Sequence, residues 1–293
     1  MLSSSVVAQN ARRPTPPATK PSFEVASIRA NRSTSESFGP PVRMLAGGRT
    51  IADRSTVIDI LRSAYRLIPA WPLESWQISG GPAWISSNRF NIDAKAATDA
   101  TPQQLRLMVQ SLLEDRFKLK SHWETRVLPV YELSVAKSVV RVQKSKIPNC
   151  SRPNAADPDP NEPLIPRGPG EIVAASCGNI LVGASNKGAG AEGNLVATGI
   201  DMSMFANFLT SFLGRTVINK TGFTQTFDPQ VVFNPTDAAL AGFGDDINEP
   251  PTAELAGGSI FTALQEQLGL KLESSRGPVQ VLVIDSLQKP SEN

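Results

Sequence analysis

One histidine, His122, and two cysteines, Cys150 and Cys177, carry all the imidazole and thiol chemistry in this 293-residue chain. A catalytic or metal-bound histidine needs an orienting partner and a cavity. His122 stands between Lys120 and Glu124 in an alternating stretch, which places it on a wetted strand face. One histidine and two cysteines are also too few for a structural zinc centre. In "ADPDPNEP", Asp157, Asp159 and Asn161 have the spacing of oxygen ligands in a calcium loop. Prolines interrupt it, and neither the turn glycine nor the terminal bidentate glutamate follows, so a solvated loop is the better reading. "GAGAEG", residues 188–193, spells G-x-G-x-x-G. A dinucleotide site needs a helix to open within that string, and the "NLVATG" that follows is β-like. The sequence has no P-loop, nucleophile elbow or H-E-x-x-H, and a serine without a base is only a serine. Sequence reasoning therefore assigns no catalytic residue, no metal and no cofactor. Dispersed carboxylates such as Glu114, Asp115 and Glu124 leave an envelope hydrolase as the alternative.

What remains is recognition chemistry. Trp71, Trp76 and Trp84 crowd into "AWPLESWQISGGPAW", which is too rich in glycine and proline to be one regular element. The plainer reading packs these rings as lids over the preceding helix. The functional reading has the loop present indole and backbone N–H groups to a ligand or partner, since tryptophan is enriched at binding hot spots. An equivalent turn, "NKTGF", occurs in the second half of the chain. The candidate binding residues are thus Trp76, Gly80, Gly81 and Trp84 in the first turn, and Lys220, Gly222 and Phe223 in the second.

The elements that must position these turns repeat. In "TPQQLRLMVQSLLEDRF", Leu105, Met108, Val109, Leu112 and Leu113 lie on one helix face, and Thr101, Pro102 and Gln104 form a capping box with a first-turn proline. The period then changes to two: Phe117, Leu119, Ser121, Trp123 and Val127 alternate with charged neighbours, a turn is expected at Leu128 and Pro129, and "VYELSVA" returns as a strand. The C-terminus matches it. Ile260, Ala263, Leu264 and Leu268 make a helix face with Ser259 as cap and Gly269 as stop, followed by "LKLES", a turn at "SRGP" and the strand "VQVLVIDSL". Fainter relatives precede both. "TVIDILRSAYRL" (Val57, Leu61, Ala64, Tyr65) and "MSMFANFLTSFLG" (Phe205, Phe208, Leu209, Phe212, Leu213) each lead to a short strand, a glycine turn and another strand. The expected architecture is α+β: two pseudo-repeated halves, each of two helix–strand–strand units, with helices packed on largely antiparallel sheet. The boundaries are a leader remnant and proline-rich tail at 1–21, an N-terminal half at 22–145, a connector at 146–199 and a C-terminal half at 200–293.

Cys150 and Cys177 flank the proline-, glycine- and aspartate-rich connector, an obvious place for a staple. A disulfide there stabilises by roughly 3–4 kcal/mol if unstrained and belongs to an oxidising compartment. Val6 and Ala8, followed by Gln9, fit a secretory cleavage site, although the basic and most of the apolar leader regions are missing; a disordered tail fits the same residues. The formal net charge is +2, and no Lys/Arg block tracks a phosphate backbone, so nucleic acid is not an expected partner. No apolar run is long enough to cross a bilayer.

Five segments, "FEVASIRANR", "WQISGGPAW" with "RFNIDAKA", "QSLLEDRFKLKSHWETRVLPVYELSVAK", "GRTVINKTGFTQTFD" and "SIFTALQEQLGLKLESSRGPVQVLVIDSLQKPSEN", together resemble an uncharacterised soil-associated protein family abundant in Acidobacteria. The resemblance runs from Phe23 to Asn293. Its members typically carry a signal peptide, and some are fused to membrane sensor domains related to β-lactam sensors. It therefore implies an extracytoplasmic, periplasmic or secreted home and a sensing or binding role, and carries over no catalytic residue. A weaker similarity, confined to "ALQEQLGLKLE", is to the short N-terminal domains of secretins and TonB-dependent receptors. The expected function is a non-enzymatic binding module for an envelope protein or a small ligand, with a structural piece of an envelope assembly as a further alternative.

Overall fold

The computed structural model describes residues 20–33, 40–66, 72–136, 141–142, 144–145, 178–186, 191–234 and 259–290. Trp71, the Asp157–Asn161 loop and the expected Cys150–Cys177 pair lie outside the described residues. In chain order the first part forms β1 (Val25–Asn31), β2 (Val42–Leu45), β3 (Arg49–Thr56), α1 (Val57–Ala64), β4 (Ile78–Gly80), β5 (Arg89–Lys95), α2 (Pro102–Arg116) and β6 (Lys120–Val135). The second part forms β7 (Asn179–Asn186), β8 (Ala191–Thr198), α3 (Met202–Leu213), β9 (Val217–Asn219), β10 (Gln230–Phe233), α4 (Ile260–Ala263) and β11 (Leu270–Ser286). A π turn, Leu264–Leu268, continues α4. The fold is α+β, as expected.

The helices start where local chemistry starts them. Thr101 and Gln104 close the predicted capping box on α2, and Thr56 with Asp59 closes another on α1. Ser259 caps α4 by accepting from Thr262 N. The predicted faces are the buried ones: Leu105, Val109, Leu112 and Leu113 on α2, Phe205 and Leu209 on α3, and Ile260, Ala263, Leu264 and Leu268 on α4 with its π turn.

The strands build three sheets, ordered β1-β5-β3-β2, β10-β8-β7 and β4-β11-β6-β9. The third corrects the sequence reading. The turns expected at Leu128–Pro129 and at "SRGP" are not turns: β6 is one strand of 16 residues and β11 one of 17, paired antiparallel along their whole length. The reason is the direction of the prolines. Tyr131 N donates to Thr216 O, and Leu133 O accepts from Lys220 N, so the odd-numbered residues of β6 aim their backbone groups outward. Pro129 shares that parity, and its missing N–H leaves the β11 ladder intact. Pro278, opposite Val127, faces outward on β11 in the same way.

This long ribbon joins two cores. One packs Ile28, Leu61, Phe90, Leu113, Phe117 and Leu119 with Leu282 and Ile284 from the end of β11. The other packs Phe205, Leu209, Phe227 and Leu264 with Tyr131 and Leu133 from the end of β6. Each core thus contains a strand from the other part of the chain. A small third cluster, Val130, Val279 and Val281, holds the middle of the ribbon against Trp76 and Ile218. The short strand that follows α1, β4, adds in parallel to β11, and the short strand that follows α3, β9, adds in parallel to β6. In the first sheet β5 lies beside the β2–β3 pair, and in the second β10 lies beside the β7–β8 pair.

Candidate functional site

The two turns singled out by sequence sit on opposite flanks of the ribbon. Ser79 and Gly80 pair with Val283 and Ile284, which lie opposite His122 and Ser121. Asn219 pairs with Leu133. From Ser121 to Leu133 is about 40 Å of strand at roughly 3.4 Å per residue. The structure therefore keeps the turn of Gly80 and Gly81 apart from the turn of Lys220, Gly222 and Phe223, and Trp76 and Trp84 pack on different clusters. Trp84 is half-buried, edge-on to Phe90 with ring centroids 6.3 Å apart, and Lys289 Nζ lies 5.6 Å from its ring centroid. Trp76 packs on the mid-ribbon cluster, and its buried Nε1 has no hydrogen-bond partner among the described residues. Phe223 packs on the second core, and Lys220 is exposed.

Between these flanks the two parts of the chain enclose a cleft of about 240 Å³. One wall is the segment ahead of β4, with Pro72, Glu74 and Gln77. The other is α3, with Asn207 and Ser211, continued by Thr216 at the head of β9. Pro278 and Gln280 of β11 also line it. Glu74 clasps the walls: one carboxylate oxygen accepts from the Ser211 hydroxyl at 2.5 Å, and the other from Arg62 Nη2 at 3.2 Å. Arg62 Nε donates to Leu73 O at 2.7 Å, which fixes the guanidinium. The backbone of Glu74 donates to Gln77 Oε1 at 3.0 Å, so the Gln77 amide is held in one orientation.

Several polar groups in the cleft have no bond to a described residue. Gln77 is only 7% exposed, and with its oxygen committed to Glu74, its Nε2 meets no partner among the described residues. The Asn207 amide likewise makes no bond to a described residue. Gln280 donates its Nε2 to Thr125 Oγ1 at 2.8 Å, which leaves its oxygen as an acceptor. Thr210 is spent internally, donating to Ala206 O and accepting from Val217 N. Thr216 Oγ1 is buried and unpaired.

The other titratable groups do not converge. His122 Nδ1 lies 3.0 Å from Asp285 Oδ2, with both side chains about half exposed. Glu114 pairs with Lys20 on the outside of α2. The Arg126 hydrogen bond holds the exposed Glu124 carboxyl below its ordinary value. Asp93 is held low in the same way by the paired Arg49 guanidinium. Among the described residues no His, Cys, Asp or Glu cluster could hold a metal ion.

Sequence reasoning missed Glu74, Gln77, Asn207, Ser211 and Gln280 as site residues. They come from three segments on both sides of the connector and form no motif. Locally, Gln77 Oε1 accepts from the backbone N–H of Glu74 at the head of the 3₁₀ turn Ser75–Gln77.

The chain belongs to the family described as "Protein of unknown function (DUF3738)", whose model matches residues 61–287. That span runs from α1 to the residue after β11, and so takes in the whole ribbon and both walls of the cleft. No curated protein and no solved structure matches the chain.

Proposed function

We propose that this protein is an extracytoplasmic, non-catalytic binding module that holds a small ligand in the cleft between its two halves. The observation that carries the reading is a cleft walled from both sides of the connector, in which Gln77 Nε2 and the Asn207 amide make no bond to a described residue. Gln77 is mostly buried and its oxygen is held by Glu74, so its Nε2 is oriented to donate to a guest. The carboxylate present, Glu74, is already engaged by Arg62 and Ser211, an arrangement suited to holding rather than to proton transfer. Export is supported by the small-residue N-terminus, by the cysteines that flank the connector and by the soil-protein resemblance. The recurring order of elements in the two parts of the chain, with β7 and β8 drawn from the end of the expected connector, supports descent from a duplicated module.

Amide NMR on the labelled full chain tests the site, using neutral sugars, amino acids, diamines and dicarboxylates as probes. Perturbation centred on the Gln77 and Asn207 side-chain amides is expected. Perturbation centred on Trp84 or Gly222 would move the site to the turns. No perturbation by any probe would replace the small-ligand reading with a protein partner. Export is tested by non-reducing mass spectrometry of the envelope fraction, where a peptide linking Cys150 to Cys177 is expected and free thiols would refute the compartment.

A further inference from the structure

The Glu74–Arg62 pair decides the charge of whatever the cleft accepts. Among the described residues that line it there is no lysine or arginine, so an anion would meet no cation from them. Its carboxylate is already neutralised by Arg62 and bonded by Ser211, so a cation would have to compete for an occupied partner. What remains for recognition is amide and hydroxyl chemistry: the Gln77 Nε2 donors, the Asn207 amide with both donors and acceptor, and the Gln280 oxygen. A mixed set of fixed donors and acceptors matches alcohol hydroxyls, each of which donates once and accepts twice. Pro72 and Pro278 offer flat aliphatic surface for C–H faces. The cleft of about 240 Å³ holds about eight waters at roughly 30 Å³ each, and is smaller than the roughly 300–1,000 Å³ typical of drug-sized sites. One ring fits.

We infer that the ligand is an uncharged polyhydroxylated molecule of monosaccharide size, recognised through the Gln77, Asn207 and Gln280 amides. The inference rests on the cleft being the binding site.

The test uses the full chain and three probes of the same ring and different charge: glucose, glucuronate and glucosamine, with galactose and mannose as neutral variants. Amide NMR locates binding and calorimetry measures it. At least one neutral sugar is expected to perturb the Gln77 and Asn207 side chains. Glucuronate should then bind at least tenfold more weakly, and glucosamine no more tightly than glucose. Asn207→Leu and Gln280→Leu should each weaken the neutral sugar about tenfold with the unfolding transition retained. Tighter binding of glucuronate or glucosamine in the cleft would overturn the uncharged class and leave the cleft reading standing. Cleft perturbation by amino acids or dicarboxylates, with none by any sugar, would do the same. Silence from every probe would overturn both.

Discussion

Gly80 ends the short strand β4 and Gly222 lies three residues past the short strand β9, and substituting each by alanine separates backbone strain from close approach. Both adopt the left-handed conformation, with φ of +81° and +72°, which disfavours a side-chain-bearing residue by about 1–2 kcal/mol. Their surroundings differ. A Cβ on Gly80 would lie 2.8 Å from the carbonyl oxygen of Ile284, whereas a Cβ on Gly222 would meet nothing within 4 Å. Gly222→Ala should therefore lose only the conformational term, about 1–2 kcal/mol. Gly80→Ala adds a clash with backbone that the ribbon holds on its other side, so either β4 pulls away from β11 or the strand deforms. Overpacking of this kind adds about 1–3 kcal/mol, giving a total of about 2–5 kcal/mol out of the roughly 5–15 that a domain has. Urea unfolding followed by tryptophan fluorescence and far-UV circular dichroism measures both variants. Equal losses would refute the reasoning, since they would mean that Gly80 is not pressed against Ile284 and that β4 does not pair with β11 as described.

Thr216→Val removes a buried hydroxyl that has no partner at nearly constant volume; the fold should gain about 1 kcal/mol, and a loss in chemical denaturation would mean the hydroxyl is bonded after all. Leu282→Ala should lose about 2–5 kcal/mol although Leu282 lies close to the C-terminus, because that side chain is 1% exposed in the core built around α1 and α2. Its unfolding should remain a single transition by every probe, and early melting confined to one half would count against the crossed ribbon. For the Arg49–Asp93 pair the sign follows from Asp93 being held low in the folded state. Its contribution is present above the ordinary carboxylate range and is lost as pH falls through the lowered folded value. Arg49→Met should return the Asp93 carboxyl to its ordinary range in a carbon-detected NMR titration, and no change would refute the pairing.

Local chemistry was legible and crossing geometry was not. Thr101 with Gln104 and the 3.6-residue spacing of Leu105, Val109, Leu112 and Leu113 fix α2 from its own residues. Pro129 and the "RGP" of residues 276–278 carry turn signals whose meaning depends on which edge of a ladder they face, and that edge is set by a strand more than a hundred positions away. The unassigned β3 has a similar cause: Arg54 has a φ of +47° and the register shifts between Ala52 and Ser55, a bulge that breaks the alternation just before Thr56 begins α1. Gly193 lies within β8. Its glycine is explained by the Phe233 ring, 2.7 Å from where a Cβ would stand. The cleft was invisible because small polar residues acquire meaning there only through what the fold leaves unbonded.

The crossed ribbon bears on how such a cleft works. If the halves were joined only by the connector, a ligand between them would have to draw two bodies together, and closure would offset part of its binding energy. Here β6 ends inside the core that α3 and α4 build, and β11 ends inside the core of α1 and α2. Moving the walls apart means extracting Leu133, or Leu282 and Ile284, from packed interiors, at about 2–5 kcal/mol for each such side chain. The walls are therefore set before a guest arrives, and Glu74 links them directly through Ser211. Preorganisation of that kind spares the ligand an ordering cost and favours a small, rigid guest over one that must be wrapped. Free and bound states should then differ by less than about 1 Å in the backbone, with any adjustment confined to the Glu74–Ser211 clasp and the side chains beside it.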